Sequence, residues 1–235
     1  HTETRKATLD LAGPEVNLIS PGNGSFTNKS EIRFKSNASD NELKNSTLYV
    51  WNSSRLVDKK EGNISGEVNE SAFNLSLSNE AIYKWNYRVC DIFGNCGWGE
   101  SNYTFTIDRE IPDINFVNDT SEEGNYSQDW VYVNVSVREE NIEKVIIKLY
   151  NGEGLVYENI YSESKSVNYT NLDEDKYYFN ASVNDSAGNT NKTPTREIVL
   201  DRTAPNILDS NLNRSTVVPI NSSICINVSV EDPNG

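Results

Sequence analysis

Three short segments of the chain share one frame: "TLDLAGPEVNLI" from Thr8, "TIDREIPDINFV" from Thr106 and "VLDRTAPNIL" from Val199. In each, an apolar residue precedes an Asp and a Pro stands four residues after it: Asp10 and Pro14, Asp108 and Pro112, Asp201 and Pro205. The frames lie 98 and 93 residues apart, so one supersecondary unit recurs along the chain. A second anchor aligns "YKWNYRVCDIFGN" from Tyr83 with "YYFNASVNDSAGN" from Tyr177 without a gap, at an offset of 94. It pairs Tyr83, Trp85, Val89, Asp91, Gly94 and Asn95 with Tyr177, Phe179, Val183, Asp185, Gly188 and Asn189. A third pairs "VYVNVSV" from Val131 with "ICINVSV" from Ile224, 93 residues on. The 235 residues hold about two such units, each large enough for its own core.

Within the repeat, apolar residues recur at every second position, which is the strand period. Val131, Val133, Val135 and Val137 form one such face, Phe73, Leu75 and Leu77 another, and Tyr103, Phe105 and Ile107 a third. No segment carries an amphipathic helical pattern. Short alternating strands separated by Gly, Asn, Asp and Ser turns predict an all-β chain of tandem antiparallel immunoglobulin-like β-sandwiches arranged end to end. Proline cannot donate to a ladder, so the Asp-to-Pro exits mark domain ends. The expected division is a last strand of a preceding domain at 1–13, domains at 14–110 and 111–203, and the first strands of a further domain at 204–235. The chain has no methionine and begins at His1, which fits a processed chain or a window onto a longer tandem array.

The Tyr-x-aromatic strand running into "D-x-x-G-N", followed by the "D-x-x-x-P" exit, resembles the immunoglobulin-like or fibronectin-III-like repeats of archaeal or bacterial cell-surface proteins. The resemblance covers nearly the whole chain. It implies a stalk, filament, surface-layer or adhesin role, the last including carbohydrate recognition, and sandwiches alone do not choose among these. The incomplete end domains point to a continuous array, with a strand-exchanging pilus-like subunit as the alternative.

The asparagines add a second signal. With 33 Asn and 40 Ser plus Thr, chance placement gives roughly six Asn-x-Ser/Thr acceptor signals, yet there are 19. They stand at Asn23, Asn28, Asn37, Asn45, Asn52, Asn63, Asn69, Asn74, Asn102, Asn118, Asn125, Asn134, Asn168, Asn180, Asn184, Asn191, Asn213, Asn221 and Asn227. Asn74, Asn134, Asn180 and Asn227 each sit between two inward apolar residues and therefore point outward. Strands that bury one face and offer sugar on the other predict an extracellular, cell-surface glycoprotein whose partners are N-linked glycans and other copies of the chain or neighbouring surface proteins.

Cys90 and Cys96 flank the "DIFGN" turn and suit a disulfide across a hairpin, consistent with an oxidising exterior. Cys225 lies in the outward phase between Ile224 and Ile226, and its partner is expected in the missing part of its own domain or in another chain. A formal charge of −14 argues against nucleic acid as a partner, and no stretch is long and apolar enough for a membrane span. No nucleophile elbow, zinc-protease motif, phosphate loop or histidine triad is present, so no enzyme is expected. No cofactor is expected beyond calcium. Asp108, Glu110 and Asp201 stand at the junctions where the resemblance implies calcium, near Asp91 and Asp185. An Asp opening such a turn also has a simpler use, bonding backbone N–H groups. An outward aromatic line, Tyr49 and Trp51 with Tyr150 as the counterpart of Trp51, suits sugar stacking or cross-strand packing, and Trp98 suits a hairpin cap.

Overall fold

The computed structural model describes residues 9–53, 55–212 and 226–232. All regular elements among them are β-strands. The first repeat contains Glu15–Ser20 (β1), Ser25–Thr27 (β2), Glu31–Ser39 (β3), Leu43–Asn52 (β4), Arg55–Asn63 (β5), Val68–Ser76 (β6), Ala81–Asp91 (β7), Cys96–Trp98 (β8) and Tyr103–Ile107 (β9). The second contains Asp113–Phe116 (β10), Gly124–Tyr126 (β11), Val131–Arg138 (β12), Ile142–Asn151 (β13), Gly154–Tyr161 (β14), Ser166–Tyr169 (β15), Asp175–Asp185 (β16), Thr190–Lys192 (β17) and Arg196–Leu200 (β18). Asn206–Leu212 (β19) and Ile226–Glu231 (β20) follow.

Both repeats use one topology. In the first, β1-β3-β6 form a three-stranded sheet and β2-β9-β7-β4-β5 a larger one, with β8 added to β7. In the second, β10-β12-β15 and β11-β18-β16-β13-β14 repeat the pattern, with β17 added to β16. The short edge strands β2 and β11 run parallel to β9 and β18, at the same place in each repeat. A small and a large sheet with this strand order make an immunoglobulin- or fibronectin-III-type sandwich. The all-β reading of the sequence is therefore correct.

Alternation fills each core. Phe34, Leu48, Val50, Trp85, Tyr87 and Val89 are fully buried in the first sandwich, and Val131, Val133, Ile147, Leu149, Phe179, Ala181 and Val183 in the second. Phe34 meets Trp85 edge-on at 5.4 Å, and Phe116 meets Phe179 edge-on at 5.6 Å, the geometry aromatic quadrupoles favour. Each repeat also ties its longest strand to the preceding loop: Tyr83 Oη donates to the carbonyl of Asn79 at 3.0 Å, and Tyr177 Oη to that of Asp173 at 3.3 Å. This is the tyrosine corner of Greek-key sandwiches.

The chain divides into two compact units. One is His1–Pro112 with the turn Asn184–Thr190; the other is Asp113–Val183 with Asn191–Gly235. The turn belongs to the first unit, where the Asn28 N–H donates to the Ala187 carbonyl and Asn189 Nδ2 to the Asp108 carbonyl, each at 3.1 Å. Most of the strand expected at 1–13 lies outside the described residues, and residues 9–14 form none. β19 and β20 pair antiparallel, with Ile207 opposite Val230. Ile226, Val228 and Val230 are 63%, 49% and 57% exposed, whereas Val133 and Val135, the repeat counterparts of Ile226 and Val228, are buried. Ile224, Cys225, Asn213 and Asn221 lie outside the described residues.

Replacing Tyr177 by Phe removes one buried-end hydrogen bond and is expected to cost about 1 kcal/mol. Urea denaturation of the variant against the parent measures it, and an unchanged midpoint would show that the corner carries no stability.

Candidate functional site

None of the 17 described sequon asparagines is buried. The two buried asparagines, Asn86 and Asn189, belong to no sequon. Asn37, Asn63, Asn74, Asn102, Asn118, Asn125 and Asn168 are exposed, and Asn134 and Asn180 are half-buried between fully buried or nearly buried neighbours, as alternation requires. The amides differ in engagement. Asn45 Nδ2 donates to Glu61 Oε1 at 2.8 Å, Asn134 Nδ2 to Asp119 at 2.9 Å and Asn180 Nδ2 to Thr195 Oγ1 at 3.1 Å, all on the surface. Asn28 is held differently: its Nδ2 donates to Asn189 Oδ1 at 3.2 Å in a part-buried contact, and its own N–H is bonded as well.

The "D-x-x-G-N" turns form a clasp. Asn95 donates its N–H to Asp91 Oδ1 and its amide to Asp91 Oδ2, both at 2.8 Å, while the Asp91 N–H returns to the Asn95 carbonyl at 3.0 Å. Asp185 and Asn189 repeat all three bonds, at 2.7, 2.7 and 3.1 Å. Gly94 and Gly188 close the turns at φ 94° and 92°, where an L side chain would be strained. Each clasp asparagine also reaches the exit segment, Asn95 Nδ2 donating to the Asp10 carbonyl and Asn189 Nδ2 to that of Asp108, both at 3.1 Å. The exit aspartates make an Asx turn each: Ala12, Glu110 and Thr203 donate their N–H groups to Oδ1 of Asp10, Asp108 and Asp201 at 3.1, 3.0 and 2.9 Å.

This geometry groups the carboxylates differently from the expected calcium set. Among the described residues, no group of three potential ligands includes Glu110 or Asp201. Glu110 contributes its backbone to the Asx turn and leaves its side chain exposed. Asp108 is instead brought to Asp185, because Asn189 holds its carbonyl. The corresponding trio in the first unit is Asp10, Asp40 and Asp91, whose carboxylate oxygens lie within 4.8 Å of one another. Asp40 follows β3 and is distant in sequence from both partners, so only its carboxylate chemistry, not its spacing, signalled it. Asn41 Nδ2 steadies Asp10 Oδ2 at 3.2 Å, while Asp40 Oδ1 is a buried atom with no hydrogen-bond partner. No ion pair among the described residues includes any of the three.

Two more features escaped the sequence. Arg109 and Arg202, each following an exit aspartate, clamp the loop before the long strand: Arg109 donates to the carbonyls of Leu77 and Ser78 at 3.0 and 3.1 Å, and Arg202 to that of Leu172 at 3.0 Å. Trp98 is no hairpin tip. It lies in β8 opposite Arg88, and its ring sits 5.0 Å from that of Tyr49. Cys90 and Cys96 face each other across β7 and β8 in a disulfide, as read from the sequence. The loop is short, so the chain-entropy gain is about 2 kcal/mol.

No protein-family model matches the sequence, and no curated protein matches it. Solved structures match by shape. Fibronectin(III)-like modules of CbhA from Clostridium thermocellum are 10% identical, with a TM-score of 0.49 over 79% of this chain and 93% of theirs. Dimeric latent PorU from Porphyromonas gingivalis is 14% identical, with a TM-score of 0.36 over 84% of this chain and 21% of its own. A CARDB domain from Pyrococcus furiosus, in complex with di-metal ions, is 14% identical, with a TM-score of 0.28 over 46% of this chain and all of that domain. The likeness is one of fold alone. Among the described residues no helix is long and apolar enough to cross a membrane.

Burial raises the Asp91 pKa, but hydrogen bonds from the Asn95 side chain and from the N–H groups of Asn95, Gly94 and Phe93 outweigh it and leave the net value lowered. A carboxyl whose pKa is lower folded than unfolded contributes stability above its unfolded value of 3.8, and this is lost as pH falls through the folded value. Asp91→Asn is therefore expected to lower the denaturation midpoint at pH near 6 and to flatten its decline between about pH 5 and 3. Parallel pH profiles for variant and parent would contradict this.

Proposed function

We propose that this chain is a non-enzymatic, heavily N-glycosylated segment of an extracellular array, filament or stalk built from immunoglobulin-like sandwiches. The observation that carries the reading is the partition of the asparagines: among the described residues no sequon asparagine is buried, and neither buried asparagine belongs to a sequon. Outward polarity alone would not place Ser or Thr two residues beyond so many of them. The disulfide fits the same oxidising exterior. Glycans on outward strand faces would also shield sheet edges from pairing with other chains. Glycopeptide mass spectrometry of the protein from its own cells is expected to find sugar at most of Asn37, Asn63, Asn74, Asn102, Asn118, Asn125 and Asn168. Asn28 is expected to stay bare, since its amide is committed to Asn189. Absence of glycan from all of these sites would overturn the reading.

A second reading, compatible with the first, is that Asp10, Asp40 and Asp91 hold a divalent cation. Oxygens around one calcium lie at most about 5 Å apart, since each bond is 2.3–2.6 Å, and the three carboxylates already meet that limit. The unpartnered Asp40 Oδ1 gives the cation a ligand that no protein donor satisfies. Calcium is expected to raise the melting temperature of the parent and to leave Asp40→Asn unmoved. An equal shift in both would reject the site.

A further inference from the structure

The outer face of the large sheet differs between the two repeats. In β16 the outward positions are Tyr178, Asn180, Ser182 and Asn184, two of them sequon asparagines. At the same positions β7 carries Lys84, Asn86, Arg88 and Cys90, with no sequon. Beside them on β4 stand Tyr49 and Trp51, whose rings stack at 5.7 Å with planes 9° apart, and Trp98 extends the row from β8 against Tyr49 at 5.0 Å. β8 and β4 flank β7 on opposite sides, so this aromatic row crosses β7. Beneath it lies Asn86, directly opposite Tyr49 and only 3% exposed although its strand phase is outward. Every polar end of Asn86 is used: Nδ2 donates to the Gly99 carbonyl at 3.2 Å and to Asn102 Oδ1 at 2.9 Å, and Oδ1 accepts from Gly99 at 3.0 Å and Tyr87 at 2.7 Å. The amide is thus fixed at the point where the strands pair Asn86 with Tyr49. Trp98 is nonetheless 45% exposed, and Tyr49 and Trp51 are half-exposed.

Cations frame the row. Lys59 Nζ lies 5.4 Å from the centre of the Tyr49 ring, Lys84 is paired with Trp51 across the strands, and Arg88 with Trp98. Among the described residues none of these three cations is in an ion pair, whereas in the second repeat Lys148 and Lys176 are bonded to Glu158 and Glu197 at 2.8 and 2.9 Å. Glu61, opposite Thr47 across β4 and β5, accepts the Asn45 amide. On a chain of net charge −14, three cations beside exposed aromatic rings make a local positive field that suits an anion.

We infer that Tyr49, Trp51 and Trp98, with Lys59, Lys84 and Arg88, form a binding platform for an acidic oligosaccharide. The flat apolar face of a pyranose packs on an aromatic ring, which a flat platform accommodates better than a pocket does. The uronate carboxylates fall to the flanking cations, so charge selects acidic over neutral glycans. This goes beyond the array reading, which needs no ligand. Because it is tested on protein that carries no sugar, the two fail separately and the chain's own glycans cannot occupy the platform.

Unglycosylated recombinant chain is titrated calorimetrically with oligogalacturonate and with hyaluronan oligosaccharides, against a neutral cello-oligosaccharide and single-stranded oligothymidylate. At least one acidic oligosaccharide is expected to bind, with affinity that falls as salt rises. Trp98→Ala and Trp51→Ala are each expected to weaken it about tenfold or more. The combined Lys59→Gln, Lys84→Gln, Arg88→Gln variant, altered only at surface side chains, is expected to lose the binding and its salt dependence. Tyr150→Ala, on the corresponding face of the second repeat, is expected to leave it unchanged. The proposal is overturned if neither acidic oligosaccharide binds, if the cello-oligosaccharide or oligothymidylate binds equally well, or if Tyr150→Ala matches the loss in Trp98→Ala.

Discussion

The alternation of side chains along a strand is the constraint on which everything else here rests. A residue in β12 or β16 that belongs to the core fixes its neighbours as outward, so Val133 and Val135 place Asn134, and Phe179 and Ala181 place Asn180. A one-residue slip would bury the sequons and expose the core in the same step, so register and glycan placement are specified together. The chain can thus carry acceptor asparagines in the middle of its strands, not only in loops, without disturbing the sandwich.

The repeat keeps its residues most strictly in the turns and mainly its apolar pattern in the strands, and the clasp explains why. A core position asks for apolar volume, and Trp85 in one repeat can become Phe179 in the other once neighbours adjust. The turn asks for particular atoms. Only a carboxylate can take both the N–H and the amide of the asparagine, only that amide can also reach the exit carbonyl, and glycine meets the positive φ. Two motifs some 80 residues apart in sequence, "D-x-x-G-N" and "D-x-x-x-P", are therefore parts of one hydrogen-bonded object.

That distance also marks where reading the sequence stops. Strand period, repeat frame, outward asparagines and the hairpin disulfide are local patterns, and they were legible. The carboxylate trio was not, because Asp40 reaches Asp10 and Asp91 only through the fold. The Arg109 and Arg202 clamps leave only a shared "DR" dipeptide, because their acceptors are loop carbonyls, which leave no mark in a sequence. Asn86 misled in the other direction. Its phase is outward, yet it is buried opposite Tyr49, with its amide bonded to Gly99 and Asn102.

The two sandwiches show how one scaffold takes on different surfaces. Where β7 has Cys90, β16 has the sequon asparagine Asn184, and where β8 has Trp98, β17 has Lys192. Neither exchange touches a core residue, so neither bears on the inward packing that each unit needs for itself. The outer positions pack against little else in their own unit and can diverge at small cost to stability. At equivalent positions β7 and β8 carry the disulfide, Arg88 and Trp98, whereas β16 carries Asn180 and Asn184 as sequon asparagines. The difference between these equivalent strands is therefore one of surface, laid over an unchanged topology.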